Sequence, residues 1–348
     1  MPAEHQHYVP QLVLRGFLSR DAARAAKEQV HVLDLDTGET FTPSITNIMG
    51  ENRYNDFWLD EETQATIEPA AGLIESHIAP LVERIRAEKR LERTPEEFGN
   101  LALFMAFQFI RTKKMRLLPE RMHKQLTEHV KKMGLDPAEV QGLEPLDEHA
   151  LKLMHIRNQV EGHEKYTKLI AEKEFFLMTA PEGLTFYLGD HPVVLHNDEE
   201  RKGMFGGLGL AVPYIQMYLP LSAEVMLCAY DPAVLGQLMR SGDGGIDEVA
   251  RHALTLLRRG QITAKQMKEA LDGRREAEPI TPIIKAIRAG EPVAVGSEQV
   301  HCYNSLQSFH AHRFVVDPDG KFEVARGMME ERAAAAQPKD KSVPVKGA

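Results

Sequence analysis

The chain has 348 residues, 43% hydrophobic and 27% charged, with a formal net charge of −9. That is the balance of a globular protein with a sizeable core, either one large domain or two ordinary ones. It argues against a surface that binds polyanions everywhere, and no apolar run approaches the ~20 residues of a membrane span.

The first residues are unusual for a terminus, where cheap polar residues normally gather. His5 and His7 alternate, so on an extended backbone both imidazoles share a face. Tyr8, Val9, Leu12, Leu14 and Phe17 then call for burial, which predicts an extended lead-in and a short helix over 5–18. Val30–Leu35 and Glu39–Thr42 flank Asp36-Thr37-Gly38, a hairpin signal with Gly38 at the turn. Ile45–Trp58 is aromatic and irregular, and the spacing from Thr63 onward is helical, with Pro69 and Pro80 expected to bound or bend it. Thr94-Pro95-Glu96-Glu97 is a helix start, and the helix it opens is apolar nearly all round, as a central helix is. Arg111–Lys132 carries eight Lys or Arg against two Glu and is broken near Pro119 into two helices or one kinked helix. Gly134–Glu144 is a loop, and a further helix spans about Leu146–Ala171.

Beyond Ala171 the pattern changes to short strands: Glu174–Thr179, Phe186–Leu188, Val193–Leu195, Ile215–Leu219 and Val225–Ala229. They read as an antiparallel meander, interrupted by a flexible glycine loop at Met204–Gly209. Asp231–Gly273 reads as turns and weak helix, Ile280–Arg288 and Glu298–Ala311 as helices, and Phe314–Val316 as a closing strand. The expected class is α+β: a helical first half packed on an antiparallel sheet, which the N-terminal hairpin joins. Residues 1–329 are expected to form one interwoven domain, with 330–348 a disordered tail. The N-terminus lacks a basic-then-apolar signal segment, so a cytoplasmic protein is expected. Cys228 and Cys302 have no metal-ligand spacing and read as buried thiols in a reducing compartment.

Three segments carry a family resemblance. Gln6-His7-Tyr8-Val9-Pro10-Gln11 followed by Leu14-Arg15-Gly16-Phe17 resembles the opening of a bacterial family, domain of unknown function 4238. That family usually has a histidine where Gln6 stands. Leu188-Gly189-Asp190-His191-Pro192-Val193-Val194 is similar to its Ser-Asp-Asn-Pro-Val segment, with His191 in the place of asparagine. Asn304 and His310–Val315 resemble its late helix and closing strand. The resemblance spans residues 5–316 and implies a shared single fold but no established activity.

Four constellations could carry chemistry. His5, His7, Asp190 and His191, with His310 and His312, have the side chains of a divalent metal site; the alternative is a structural network in which Asp190 holds backbone N–H groups. His7 as base, oriented by Asp190 with Arg15 or Arg313 on the anionic charge, is a metal-free alternative. Glu68 and Glu75 lie two helical turns apart on one face, as a cation or acid–base pair or as a solvated face. The basic stretch 111–132 suits phosphate groups of a small-molecule or nucleic-acid ligand, or is a solvated surface; Gln108 and Arg111 could line a cavity at its start. No phosphate-binding loop, dinucleotide fingerprint or Gly-x-Ser-x-Gly elbow is present. The leading expectation is a hydrolase, metal-dependent or not, acting on a phosphodiester or other anionic substrate. In it His7, Tyr8, Asp190 and Asn304 are catalytic and Arg15, Gln108, Arg111 and Arg313 bind substrate. The alternative is a non-enzymatic ligand- or partner-binding protein, of the stress or phage-defence kind.

Overall fold

The computed structural model describes residues 4–21, 27–58, 62–143, 146–199, 207–259, 261–277 and 280–336. The chain opens on β1 (His5–His7) and a one-turn helix, Gln11–Leu14, as the sequence predicts. The hairpin is β2 (His31–Asp34) and β3 (Thr40–Phe41), and Gly38 takes the left-handed conformation at its turn. β4 (Gly50–Asn52), β5 (Asp56–Trp58) and β6 (Gln64–Thr66) follow. The segment from Thr63, expected to start a helix, therefore begins as a strand. The helix runs over Glu68–Glu88, with Pro69 in its first turn, where the missing N–H costs nothing, and Pro80 inside it.

The Pro95–Ile110 helix is the central one. Thr94 caps it by accepting from the Glu97 N–H at 3.1 Å, and most of its side chains are buried. It packs along the Glu148–Ala171 helix. The basic stretch forms two helices, Lys113–Arg116 and Leu118–Lys132, breaking just before Pro119.

Among the described residues seven strands follow: β7 (Glu174–Thr179), β8 (Leu188–Gly189), β9 (Val194–His196), β10 (Gln216–Pro220), β11 (Val225–Tyr230), β12 (Val293–Ala294) and β13 (Phe314–Asp317). They do not form one meander. β12-β7-β11-β10-β9 make a five-stranded sheet, antiparallel except for β12 beside β7. β8 leaves it for a second sheet of order β3-β2-β13-β8, and this is the sheet the N-terminal hairpin joins. First and last parts of the chain thus share hydrogen bonds, with Val32 opposite Val316.

Both faces of the five-stranded sheet are covered. Phe175 and Leu177 point into the larger apolar cluster with Leu101 and Phe104; Phe176 and Met178 point into another with Ile287 and Val300. Period-2 alternation assigns each strand residue to one side. Covered on both faces, β11 reads as an unbroken apolar run, Val225-Met226-Leu227-Cys228-Ala229, rather than an alternating one.

The class is α+β, but helices are not confined to the first half. Asp231–Gly273 contains a long helix, Pro232–Arg258, and much of another, Ala264–Ala277. The start signal is present at its head: Asp231 accepts from the Ala233 N–H at 3.0 Å, with Pro232 at the first position. The Ile280–Ala289 and Ser297–His310 helices match expectation, and a further helix, Glu323–Ala336, runs into the segment expected to be disordered. Residues 337–348 and the first half of the Met204–Gly209 glycine loop, 204–206, lie outside the described residues. Cys228 is buried, but Cys302 is exposed, because its helix turns Tyr303 and Asn304 inward instead. Among the described residues no helix is long and apolar enough to cross a membrane.

One glycine ties the helical layer to the sheet side. Gly290 ends the Ile280–Ala289 helix at φ +73°, and an added Cβ would sit 1.9 Å from the Leu91 carbonyl oxygen. Gly290→Ala should lower stability by roughly 1–3 kcal/mol. Gly72→Ala, on an open helix position with nothing within 4 Å, should raise it by about 0.5–1 kcal/mol. Urea unfolding midpoints of the two variants check both signs.

Candidate functional site

The opening segment is fastened from two sides. β1 pairs antiparallel with β4, setting His5 opposite Asn52 and His7 opposite Gly50. A Cβ at Gly50 would meet His5 Nε2 at 2.6 Å, so glycine leaves room for the imidazole across the ladder. The Tyr8 and Val9 N–H groups both donate to the Met49 carbonyl, at 3.0 and 3.3 Å. Met49 itself sits at φ +55°, a strained conformation for a side chain of that size.

Beneath this segment lies Arg111, 1% exposed. Its Nη1 donates to Glu75 Oε1 at 2.6 Å and its Nη2 to the His7 carbonyl at 2.5 Å. Its guanidinium lies 4.3 Å from the Phe107 ring centroid, and its own carbonyl accepts from the Tyr54 hydroxyl at 3.0 Å. His7 stands beside this group with Nε2 on the Ile45 carbonyl at 3.0 Å. A carbonyl only accepts, so the ring proton is on Nε2 and the lone pair on Nδ1. Burial chiefly lowers the His7 pKa, so the ring is neutral near pH 7. The His5 ring packs edge-on at 5.3 Å, confirming the shared face; its Nε2 is buried without a hydrogen-bond partner. The structure therefore gathers His5, His7, Glu75 and Arg111. It separates Glu75 from Glu68, which accepts from Asn55 Nδ2 at 2.6 Å.

The remaining predicted residues are held elsewhere. Asp190 is fully buried and accepts from the N–H groups of His312, Arg313 and Phe314, at 2.6, 2.9 and 3.1 Å. Burial pushes its carboxyl up to about 6 against the pull of those donors. It does not orient His7; it pins the turn before β13. His191 Nδ1 lies 2.7 Å from the Thr112 hydroxyl, and burial sends its pKa well below the usual imidazole value. Lys114 donates to the His310 carbonyl at 2.8 Å, and burial lowers its pKa to about 8. Asn304 spends its amide on backbone, accepting from Tyr187 N–H at 2.8 Å and donating to the Thr185 carbonyl at 2.9 Å. Arg313 reaches Asp34 Oδ2 through Nε at 3.0 Å and Nη2 at 2.7 Å, and exposed Arg15 pairs with Glu28 at 2.7 Å. Tyr8 is buried against Tyr54, ring centroids 5.5 Å apart, its hydroxyl pKa raised by burial and by Asp190. Gln108 is fully buried, and neither of its amide atoms has a partner among the described residues. Among the described residues, no three His, Cys, Asp or Glu side chains are placed to hold a metal ion. His5, His7, Asp190 and His191 therefore do not converge as a ligand set: Asp190 is occupied by three N–H donors and His191 by Thr112.

Sequence reasoning missed Glu75 as the partner of Arg111, because they lie on different helices. It also missed His155, whose Nε2 lies 3.3 Å from the Tyr54 hydroxyl and whose Nδ1 has no partner. A single histidine among apolar helix residues gives no sequence signal.

An α+β protein with a buried arginine clamp under its N-terminal motif is the class these observations define. The chain belongs to the family described as Protein of unknown function (DUF4238), whose match covers residues 5–321. No curated protein and no solved structure matches it.

Five imidazoles of the described residues, His312 among them, are held below their ordinary pKa by burial and shape the response to acid. Burial lowers the pKa values of His7 and His191, of His155 to about 3 and of His310 to about 4. Below the ordinary value of 6.5 the unfolded chain takes up protons that the fold refuses, so their stabilisation is lost as pH falls from 6.5 toward 4. Asp190 and Asp317, with raised pKa values, act in the opposite direction. Replacing His155 by Phe should flatten the stability–pH slope between pH 6 and 4.5 by about one proton, or ~1.4 kcal/mol per pH unit. Denaturant unfolding across that range measures it; an unchanged slope contradicts it.

Proposed function

We propose that the chain is a hydrolase of anionic substrates whose acid–base centre is the His7–Glu75 junction. The observation that carries this reading is that one buried guanidinium, Arg111, holds both the His7 backbone and the Glu75 carboxylate. His7 has a neutral ring with its lone pair on Nδ1, the state a general base needs at neutral pH. It takes a proton from the attacking water, and Glu75 favours the imidazolium that forms, as it already raises the His7 pKa. Arg111 is a positioning residue here: its charge is spent on Glu75 and it is closed to solvent. The basic segment beyond Arg111, 113–132, carries seven Lys or Arg against two Glu within a chain of −9 and raises the local concentration of anions. A phosphodiester is the leading substrate class.

A second reading is a non-enzymatic ligand- or partner-binding protein. It is favoured by Asp190 and Asn304, whose polar atoms serve backbone groups. Asn304 nevertheless lines a cavity of about 440 Å³ with Tyr187, His301 and Lys321.

Hydrolysis of bis(p-nitrophenyl) phosphate to the monoester and nitrophenol, followed with Mg²⁺ and with EDTA, separates the readings. The enzyme reading expects turnover that His7→Gln lowers by about 10²–10⁴-fold with the circular dichroism spectrum unchanged. It expects the wild-type rate to drop only below the ordinary imidazole pKa. No turnover by the wild type, or equal turnover by the folded variant, rejects it.

A further inference from the structure

A separate hollow of about 490 Å³ lies between the Lys113–Arg116, Leu118–Lys132 and Glu148–Ala171 helices. That is the size of a small-molecule site. Its walls are chiefly Met115, Leu118, Met122, Leu126 and Leu143, and no charged side chain of the described residues lines it. Two of its lining polar groups are satisfied: His123 Nε2 on the Leu143 carbonyl at 3.1 Å, and Asn158 Oδ1 accepting from Tyr166 at 3.2 Å.

His155, which also lines it, is different. It is 2% exposed. The Tyr54 hydroxyl has one proton and donates it to the Arg111 carbonyl. Its oxygen therefore accepts from His155, which places the imidazole proton on Nε2. Burial keeps the ring neutral. Among the described residues Nδ1 has no partner and is left as a bare, buried acceptor. One turn on, outside the lining of the hollow, the buried Gln159 Nε2 likewise has no partner among the described residues. A buried polar atom left unmet is costly, so an acceptor beside an apolar hollow selects a ligand that brings a donor. An anion is disfavoured there, since it would lose its hydration with no charged side chain of the described residues in the lining to replace it; the nearby Arg116 and Arg111 face Glu51 and Glu75 instead.

We propose that this hollow binds a neutral, largely apolar small molecule whose single hydroxyl or N–H group donates to His155 Nδ1. The ligand buries its apolar body against the methionine and leucine walls; flexible Met115, Met122 and Met154 adapt to its shape. Three of the walls, Leu118, Leu126 and Met154, are 39%, 39% and 45% exposed without it.

Isothermal titration of the full chain with 1-naphthol, naphthalene and 1-naphthoate tests this. The expected result is 1-naphthol at least about tenfold tighter than naphthalene, with 1-naphthoate weaker than 1-naphthol. In His155→Phe the gap between naphthol and naphthalene should close. Leu126→Trp, at an exposed position on the rim, should weaken both neutral probes and leave the fold intact even if His155→Phe does not fold. No binding by any probe, equal affinity of naphthol and naphthalene, preference for naphthoate, an unchanged gap in folded His155→Phe, or unchanged naphthol affinity in Leu126→Trp overturns the assignment.

Discussion

The structure around the N-terminal motif depends on one buried cation. Arg111 is closed to solvent, and a guanidinium cannot shed its proton to escape that cost. Its charge is met by Glu75 and its second arm by the His7 carbonyl, with Phe107 against its face. Removing one partner of such a pair leaves a charge stranded at a cost of about 3–5 kcal/mol. The clamp draws together strand β1, the Glu68–Glu88 helix and the end of the Pro95–Ile110 helix. The Tyr54 hydroxyl on the Arg111 carbonyl then extends the same network to His155. The proposed acid–base junction and the proposed ligand hollow thus lie at opposite ends of one hydrogen-bonded path.

Much of this was legible in the residues. Alternation of His5 and His7 on a shared face follows from strand geometry alone, and the 5.3 Å ring contact shows it. The Thr94 cap and the Gly38 turn are local chemistry, so they read directly. Arg111 was singled out by its place at the end of an apolar helix, though as an anion clamp rather than as an internal tie.

The remainder needed three dimensions. From sequence, Asp190 suits either orienting His7 or holding backbone N–H groups; the structure shows the second, with donors from His312, Arg313 and Phe314, far along the chain. Turn chemistry predicts that a buried carboxylate will hold N–H groups; it does not say whose. Glu75 was paired with Glu68 because both lie on one helical face, but their partners, Arg111 and Asn55, come from different elements. The division of the strands into two sheets was likewise hidden, because β8 and β9 are separated only by the Asp190-His191-Pro192 turn. The Pro232–Arg258 helix was missed because its glycines outweighed its Asp231-Pro232 start.

The central claim is that the Arg111 charge, through two specific bonds, holds the N-terminal motif in place. Hydrogen exchange in Arg111→Met tests it most directly, read at the Tyr8 and Val9 amides bonded to Met49 and at the β10–β11 amides of the five-stranded sheet. The account predicts much faster exchange at Tyr8 and Val9, with β10–β11 still protected. Unchanged protection of Tyr8 and Val9, or an equal loss of protection in both places, would contradict it.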